Sequence, residues 1–260
     1  MASFTSGPGY RFRWEDVLTP GIKTLLIANA AVYLLLTFVL HITPGVETYQ
    51  ALIRWFGLIP LAVTHTLNVW QPVTYLFLHG SFVHLLLNML NLWMFGQMLE
   101  RQWGTRRFYA YYFMTGIGAG LILVLVKTLL FSVNSQERAI ATIGASGAIY
   151  GILMAAALVF PERRVWLLIP PVQLPMKVFV FIMGAFAFFG QLEGGADGVS
   201  HLAHLSGMLV GYLYLRRGSF FYGLRNQISD WKQRRLRKKF EVYVKRHKHE
   251  PPSRPDQWVN

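Results

Sequence analysis

Apolar residues run almost without interruption from Ile22 to Leu40, and five further stretches repeat the pattern. They are roughly Phe82–Leu99, Arg107–Phe131, Ala145–Phe160, Met176–Phe189 and Ser200–Leu215. A helix needs about 20 mostly apolar residues to cross a bilayer, so these stretches predict membrane-spanning helices, the fifth being short for a full crossing. Between the first two lies His41–Ser81, rich in Trp, Pro and aliphatic residues. It is too apolar for a solvated loop and is expected to lie in or on the membrane. No internal repeat or low-complexity segment is present. The expected fold is all-α: a polytopic membrane protein, a bundle of six transmembrane helices with a long membrane-associated first loop.

Charge between the stretches sets an expected direction. Arg101, Arg106, Arg107, Arg163, Arg164 and Lys177 fall in one set of connections, which alternates with connections holding only Arg54 and Arg138. The richer set shares a side with both termini, so the positive-inside rule places both ends in the cytoplasm. His41–Ser81, Ser132–Gly144 and Gln191–Val199 are then expected on the outer side. The chain divides on this reading into a cytoplasmic segment, 1–21, a helical core, 22–217, and a basic cytoplasmic tail, 218–260. The first 21 residues carry Arg11, Arg13, Glu15 and Asp16 and do not resemble a cleavable signal peptide.

Composition sharpens the membrane reading. Charged residues make up 14% of the 260, against about 25% in soluble domains. The net charge of +13 invites a nucleic-acid reading, but thirteen of the 25 Lys and Arg lie between Arg216 and Arg254. No nucleic-acid motif accompanies them, and a basic tail after a final apolar stretch suits anionic lipid at the inner surface. Ile228, Trp231, Leu236, Phe240, Tyr243 and Val244 recur at near-helical spacing, so the tail is either an amphipathic surface helix or a solvated segment. The absence of cysteine rules out disulfides, thiolate catalysis and Cys-based metal sites.

The chemistry-bearing residues cluster at one expected membrane face. His84, Asn88 and Asn91 share one side of the second stretch, at i, i+4 and i+7. Polar groups within a bilayer point to function, although Asn and His also bond helices together. In the fourth stretch, Gly144-Ala145-Ser146-Gly147 opens the helix, and Gly147 and Gly151 form a small-xxx-small seam. The sixth stretch has a matching seam in Gly207 and Gly211, on the same face as His204. Two such seams allow close backbone approach, which would bring Ser146 and His204 within hydrogen-bond reach. Serine is a weak nucleophile until a base takes its proton, and histidine is the usual base. Acyl transfer also needs donors for the developing oxyanion: His84, Asn88 and the Ser146 N–H qualify. Gly147 would leave the hydroxyl unobstructed, and Tyr150, one turn on, is placed to support the imidazole. No intramembrane carboxylate is available to orient His204, so a dyad is expected rather than a triad.

GASG opening one stretch, HLLLN in an earlier one and HLSGMLVG in the last together resemble the rhomboid family of intramembrane serine proteases. The likeness covers roughly residues 22 to 217, and Gly96-x3-Glu100-x3-Gly104 resembles a further family motif. It implies Ser146 as nucleophile, His204 as general base, His84 and Asn88 at the oxyanion, and Tyr150 packed on the imidazole. It also implies a six-helix core with a water-filled cavity on the outer side and a short fourth helix that starts below the surface. The implied substrates are single-span membrane proteins, cut in or near the span; separately, six spans with both termini inside suit a bacterial plasma membrane, with an organelle membrane as the alternative. One departure is that a Trp-Arg pair often seen in the family's first loop occurs here only reversed, as Arg54-Trp55. No cofactor or metal is implied: His201 and His204 form an HxxH pair without HExxH or a nearby carboxylate. His79, His201 and Asn91 receive no role, and Glu100 is expected to act structurally beside Arg101. The alternative is a non-catalytic member of the same fold that escorts other membrane helices. Inactive relatives typically lose the serine or the histidine, and both are present here.

Overall fold

The computed structural model describes residues 17–43, 45–167, 171–193 and 200–216. The expected basic tail helix and the first 16 residues of the N-terminal segment lie outside them. The chain separates into two compact units, Met1–Tyr214 and Leu215–Asn260. Each apolar stretch is a helix. In chain order they are α1 (Pro20–Ile42), α5 (Phe82–Trp103), α6 (Thr105–Leu130), α8 (Ser146–Val159), α9 (Met176–Leu192) and α10 (residues 201–216). Three of these, α1, α5 and α6, are long and apolar enough to cross a membrane; α8 and α9 are shorter apolar helices. The first connection holds α2 (Val46–Phe56), α3 (Pro60–His65) and α4 (Gln71–Thr74), the last running into a 3₁₀ turn. A further short helix, α7 (Gln136–Ala139), precedes α8. The expectation of an all-helical chain misses one element. Strands β1 (Arg164–Leu167) and β2 (Val172–Pro175) pair antiparallel between α8 and α9.

Helix α8 stands at the centre. Its buried residues, including Gly147, Ile149, Gly151, Leu153 and Ala156, go round the whole helix, as for a helix enclosed by others. At 14 residues it rises only about 21 Å, short of a hydrocarbon core of about 30 Å. Small residues let its neighbours approach. A Cβ on Gly151 would meet Thr115 of α6 at 2.5 Å, and one on Gly207 of α10 would strike the Gly147 carbonyl. Tyr111 of α6 donates its hydroxyl to the Gly151 carbonyl at 2.7 Å, so the closest part of the packing is also hydrogen-bonded.

The N-terminus of α1 has no side-chain cap of its own, although Pro20 opens it. Its orphan donors are satisfied from another helix. Glu100, buried near the end of α5, accepts from the N–H of Gly21 at 2.7 Å and of Ile22 at 2.9 Å, and from the hydroxyls of Thr19 and Thr105. A negative charge at the positive end of a helix is favourable, and hydrogen bonds to a charged group contribute about 1.5–3 kcal/mol each. Glu100 is therefore structural, with α1 as its partner. A Cβ at Gly21 would stand 2.8 Å from the Glu100 Oε1, so a side chain there would push the carboxylate away from the N–H groups it caps.

The connection between α1 and α5 is held by specific bonds. Gln71 accepts from the Ile59 N–H at 3.0 Å and donates to the Arg54 carbonyl at 2.8 Å. Trp70 stacks on Trp55 and donates to its carbonyl at 2.7 Å. Arg138 of α7, buried, donates to Thr64 of α3 at 2.9 Å, and Leu58 bridges to Thr142. This last bridge positions the strand-like approach to Ser146.

Candidate active site

Ser146 is the first residue of α8, preceded by Gly144 at φ +119° and Ala145 in a helical conformation. Three bonds shape this turn: Leu58 and Thr142 exchange two backbone bonds at 2.9 Å, and the Gly144 N–H donates to the Tyr75 carbonyl at 2.9 Å. A side chain at Gly144 would be strained by the left-handed backbone and would meet the His84 Nε2 at 2.8 Å. The glycine thus lets the His84 imidazole lie against the segment that delivers the serine.

The Ser146 Oγ and the His204 Nε2 are 2.8 Å apart. For the serine to donate, the imidazole must carry its proton on Nδ1. The ring of Tyr150 lies flat on that imidazole, 4.1 Å between centroids and 5° between planes. His204 is 7% exposed, so packing on both sides restricts it to this rotamer. His201 meets it edge-on at 5.9 Å and lies against Gly190 of α9, where any Cβ would collide with the ring. The HxxH pair thus joins α10 to α9. Among the described residues no group of three His, Asp or Glu side chains is arranged to hold a metal.

A cavity of about 420 Å³ opens beside the serine, lined among others by His84, Asn88, Asn91, Tyr150 and His204. Asn88 is nearly buried, and one of its amide hydrogens bonds the His84 carbonyl at 2.9 Å, leaving the other for the cavity. Asn91 is on the same wall but bonds the Leu87 carbonyl at 2.7 Å. None of the described residues lining the cavity is Asp or Glu. Gly147 takes the seam role expected of it, rather than the further one of clearing space for the hydroxyl. Its missing Cβ would meet Ala119 at 3.0 Å and the Tyr75 hydroxyl at 3.3 Å, so its small size serves helix packing rather than space around the nucleophile.

Several contributors escaped the sequence reading. Ser81 caps α5 by accepting from the His84 N–H at 3.1 Å, a cap that a serine directly before an apolar run could have signalled. Tyr75 donates to the Gly116 carbonyl at 2.6 Å and fixes the Gly144 turn, with no local signal. His79 packs edge-to-face on His84 at 5.0 Å, and burial, aided by the neighbouring His84, holds its pKa down to about 4.

Residues 66–219 match the Rhomboid domain family model. The chain belongs to the rhomboid family. Relatives include Rhomboid-like protein 11, chloroplastic, of Arabidopsis thaliana, 32% identical over 60% of this chain and 55% of the relative. The Rhomboid protease AarA of Providencia stuartii is 27% identical over 73% of this chain and 69% of its own. Rhomboid protein 1, mitochondrial, of Saccharomyces cerevisiae is 31% identical over 53% of this chain and 38% of its own. The chain spans about half the length of the first curated relatives it matches. Rhomboid-family proteins are integral to membranes, and the relatives reside in chloroplasts, mitochondria and bacteria alike.

Proposed function

We propose that this rhomboid is an intramembrane serine endopeptidase using Ser146 and His204 as a catalytic dyad. The observation that carries the reading is the 2.8 Å Ser146–His204 contact at the wall of a cavity that His84 and Asn88 also line. In this mechanism the Ser146 Oγ attacks the scissile carbonyl carbon while His204 Nε2 takes its proton. The oxyanion that forms is held by His84, by the free amide hydrogen of Asn88 and by the Ser146 N–H, with the positive end of α8 behind it. Collapse breaks the C–N bond, and His204 returns its proton to the leaving amine. Water then attacks the acyl-serine, losing its proton to Nε2; the C–Oγ bond breaks, His204 returns that proton to the Ser146 Oγ, and the carboxylic product is released.

Six crossings with both termini in the cytoplasm fit the alternation of arginine-rich connections. A central helix of about 21 Å would hold Ser146 below the outer surface, within reach of a substrate's helix end. The substrates are single-span membrane proteins, and a bacterial plasma membrane suits this topology. The core runs from 22 to 217, with the basic tail beyond it meeting anionic lipid. A fluorophosphonate probe tests the nucleophile without a known substrate. Labelling of the full chain in detergent is expected at Ser146 and lost in His204→Ala; an unlabelled wild-type chain with intact fold would favour a helix-binding, non-catalytic role.

A further inference from the structure

The mechanism uses His84, Asn88, Ser146, Tyr150 and His204 of the cavity wall, and Ser81 and Ser200 stand where α5 and α10 begin. That leaves Asn91. It follows Asn88 by three residues, so it lies about 4.5 Å further along α5, on the face turned to the cavity. Because α5 and α8 both start at this cavity, Asn91 lies deeper along the wall than Asn88. One of its amide hydrogens bonds the Leu87 carbonyl at 2.7 Å. Only the nitrogen can donate there, so the bond fixes which way the amide is turned and leaves Oδ1 and the second hydrogen to the cavity. Other wall residues without a role, among them Ile149, Leu153 and Met183, are apolar. An asparagine in such a wall costs free energy that a leucine of nearly the same size would not, unless a partner takes up its remaining groups.

We propose that Asn91 selects the substrate residue whose carbonyl is attacked, favouring serine over alanine there. The inference rests on the Ser146–His204 reading and deepens it. With the carbonyl oxygen held by Asn88 and the Ser146 N–H, the side chain on the adjacent Cα is brought to the same wall, one helical turn short of Asn91. A serine hydroxyl donates to the Asn91 Oδ1 and can accept from its second N–H, so one small group satisfies both. Alanine supplies neither, and leaves the amide unpaired wherever the substrate displaces water from it. A carboxylate would be repelled by Oδ1, and no described residue lining the cavity is Lys or Arg. Asn91 is half-buried, and a hydrogen bond in that setting is worth about tenfold in kcat/KM.

The test is cleavage, by the full chain in proteoliposomes, of a library of single-span substrates randomised in and beside the span. The new C-termini are read by mass spectrometry, and only products that Ser146→Ala fails to make are counted. The wild type is expected to enrich serine over alanine at the new C-terminus about tenfold relative to the library. Asn91→Leu should bring that ratio to about one, and Asn91→Gln, which keeps the amide, should retain part of the preference. A ratio taken within one library does not change with the amount of folded variant. A wild-type ratio near one, the same ratio in wild type and Asn91→Leu, or equal loss in the Leu and Gln variants would each overturn the proposal and leave the dyad standing. The absence of any product that depends on Ser146 would instead overturn the catalytic reading, and this inference with it.

Discussion

Gly207→Ala tests whether the helix seam, rather than the two side chains alone, brings the dyad together. The new Cβ would strike the Gly147 carbonyl oxygen and stand 2.9 Å from its carbon, against an ordinary separation of about 3.5 Å or more. Backbone cannot swing aside as a side chain can, so α10 must retreat from α8 by on the order of 1 Å. His204 precedes Gly207 by one helical turn on the same face. The 2.8 Å bond to Ser146 would stretch toward roughly 3.8 Å, past hydrogen-bonding range. A misplacement of that size costs about 10²-fold in rate, and the overpacking itself about 1–3 kcal/mol of stability. Cleavage of a tagged single-span substrate in proteoliposomes should show kcat down about 100-fold, with KM little changed. Gly184→Ala is the control, since its Cβ would meet only the flexible end of Met208 at 3.3 Å. Near wild-type turnover by a folded Gly207→Ala chain would refute the reasoning.

Other consequences follow from particular contacts. His84→Ala and Asn88→Ala should each lower kcat by about 10²–10³ while leaving KM close to wild type; a mainly KM effect would assign them to substrate binding instead. Glu100→Ala leaves the buried N–H groups of Gly21 and Ile22 without their acceptor, so the thermal midpoint should fall by an amount equivalent to several kcal/mol, measured in detergent. An unchanged midpoint would show that the cap is not stabilising. Because burial lowers the His79 pKa to about 4, the unfolded chain binds the extra proton as pH falls below about 6.5. This contribution to stability is fully present above that pH and is lost progressively toward pH 4. His79→Leu should flatten that slope in unfolding measured across the window; an identical slope would remove His79 as its source.

The helices were legible because apolar runs bounded by charge leave few other structures. Phe82 and Met176 begin α5 and α9 where the pattern predicts. The end of α5 was less legible: Glu100 and Arg101 signal exit from the apolar phase, yet the helix continues to Trp103 and stops at Gly104, whose φ is +79°. What sustains it there is the bonding of Glu100 to α1, a partner 78 and 79 residues distant in sequence. The hairpin was missed for a related reason, since four-residue strands carry too short an alternation to register. Ser146 and His204 could be paired from sequence because two glycine seams stand at fixed offsets from them. No such marker tied Tyr75 to Gly144 or His79 to His84; those contacts exist only once the first connection folds against α6 and α8.

The proposed dyad is tested most directly by substrate cleavage in proteoliposomes. Wild type, Ser146→Ala and His204→Ala would be compared at matched amounts, with and without a metal chelator. Wild-type cleavage that resists chelation and falls below detection in both variants is the expected result. Persistent cleavage by Ser146→Ala would contradict the serine mechanism.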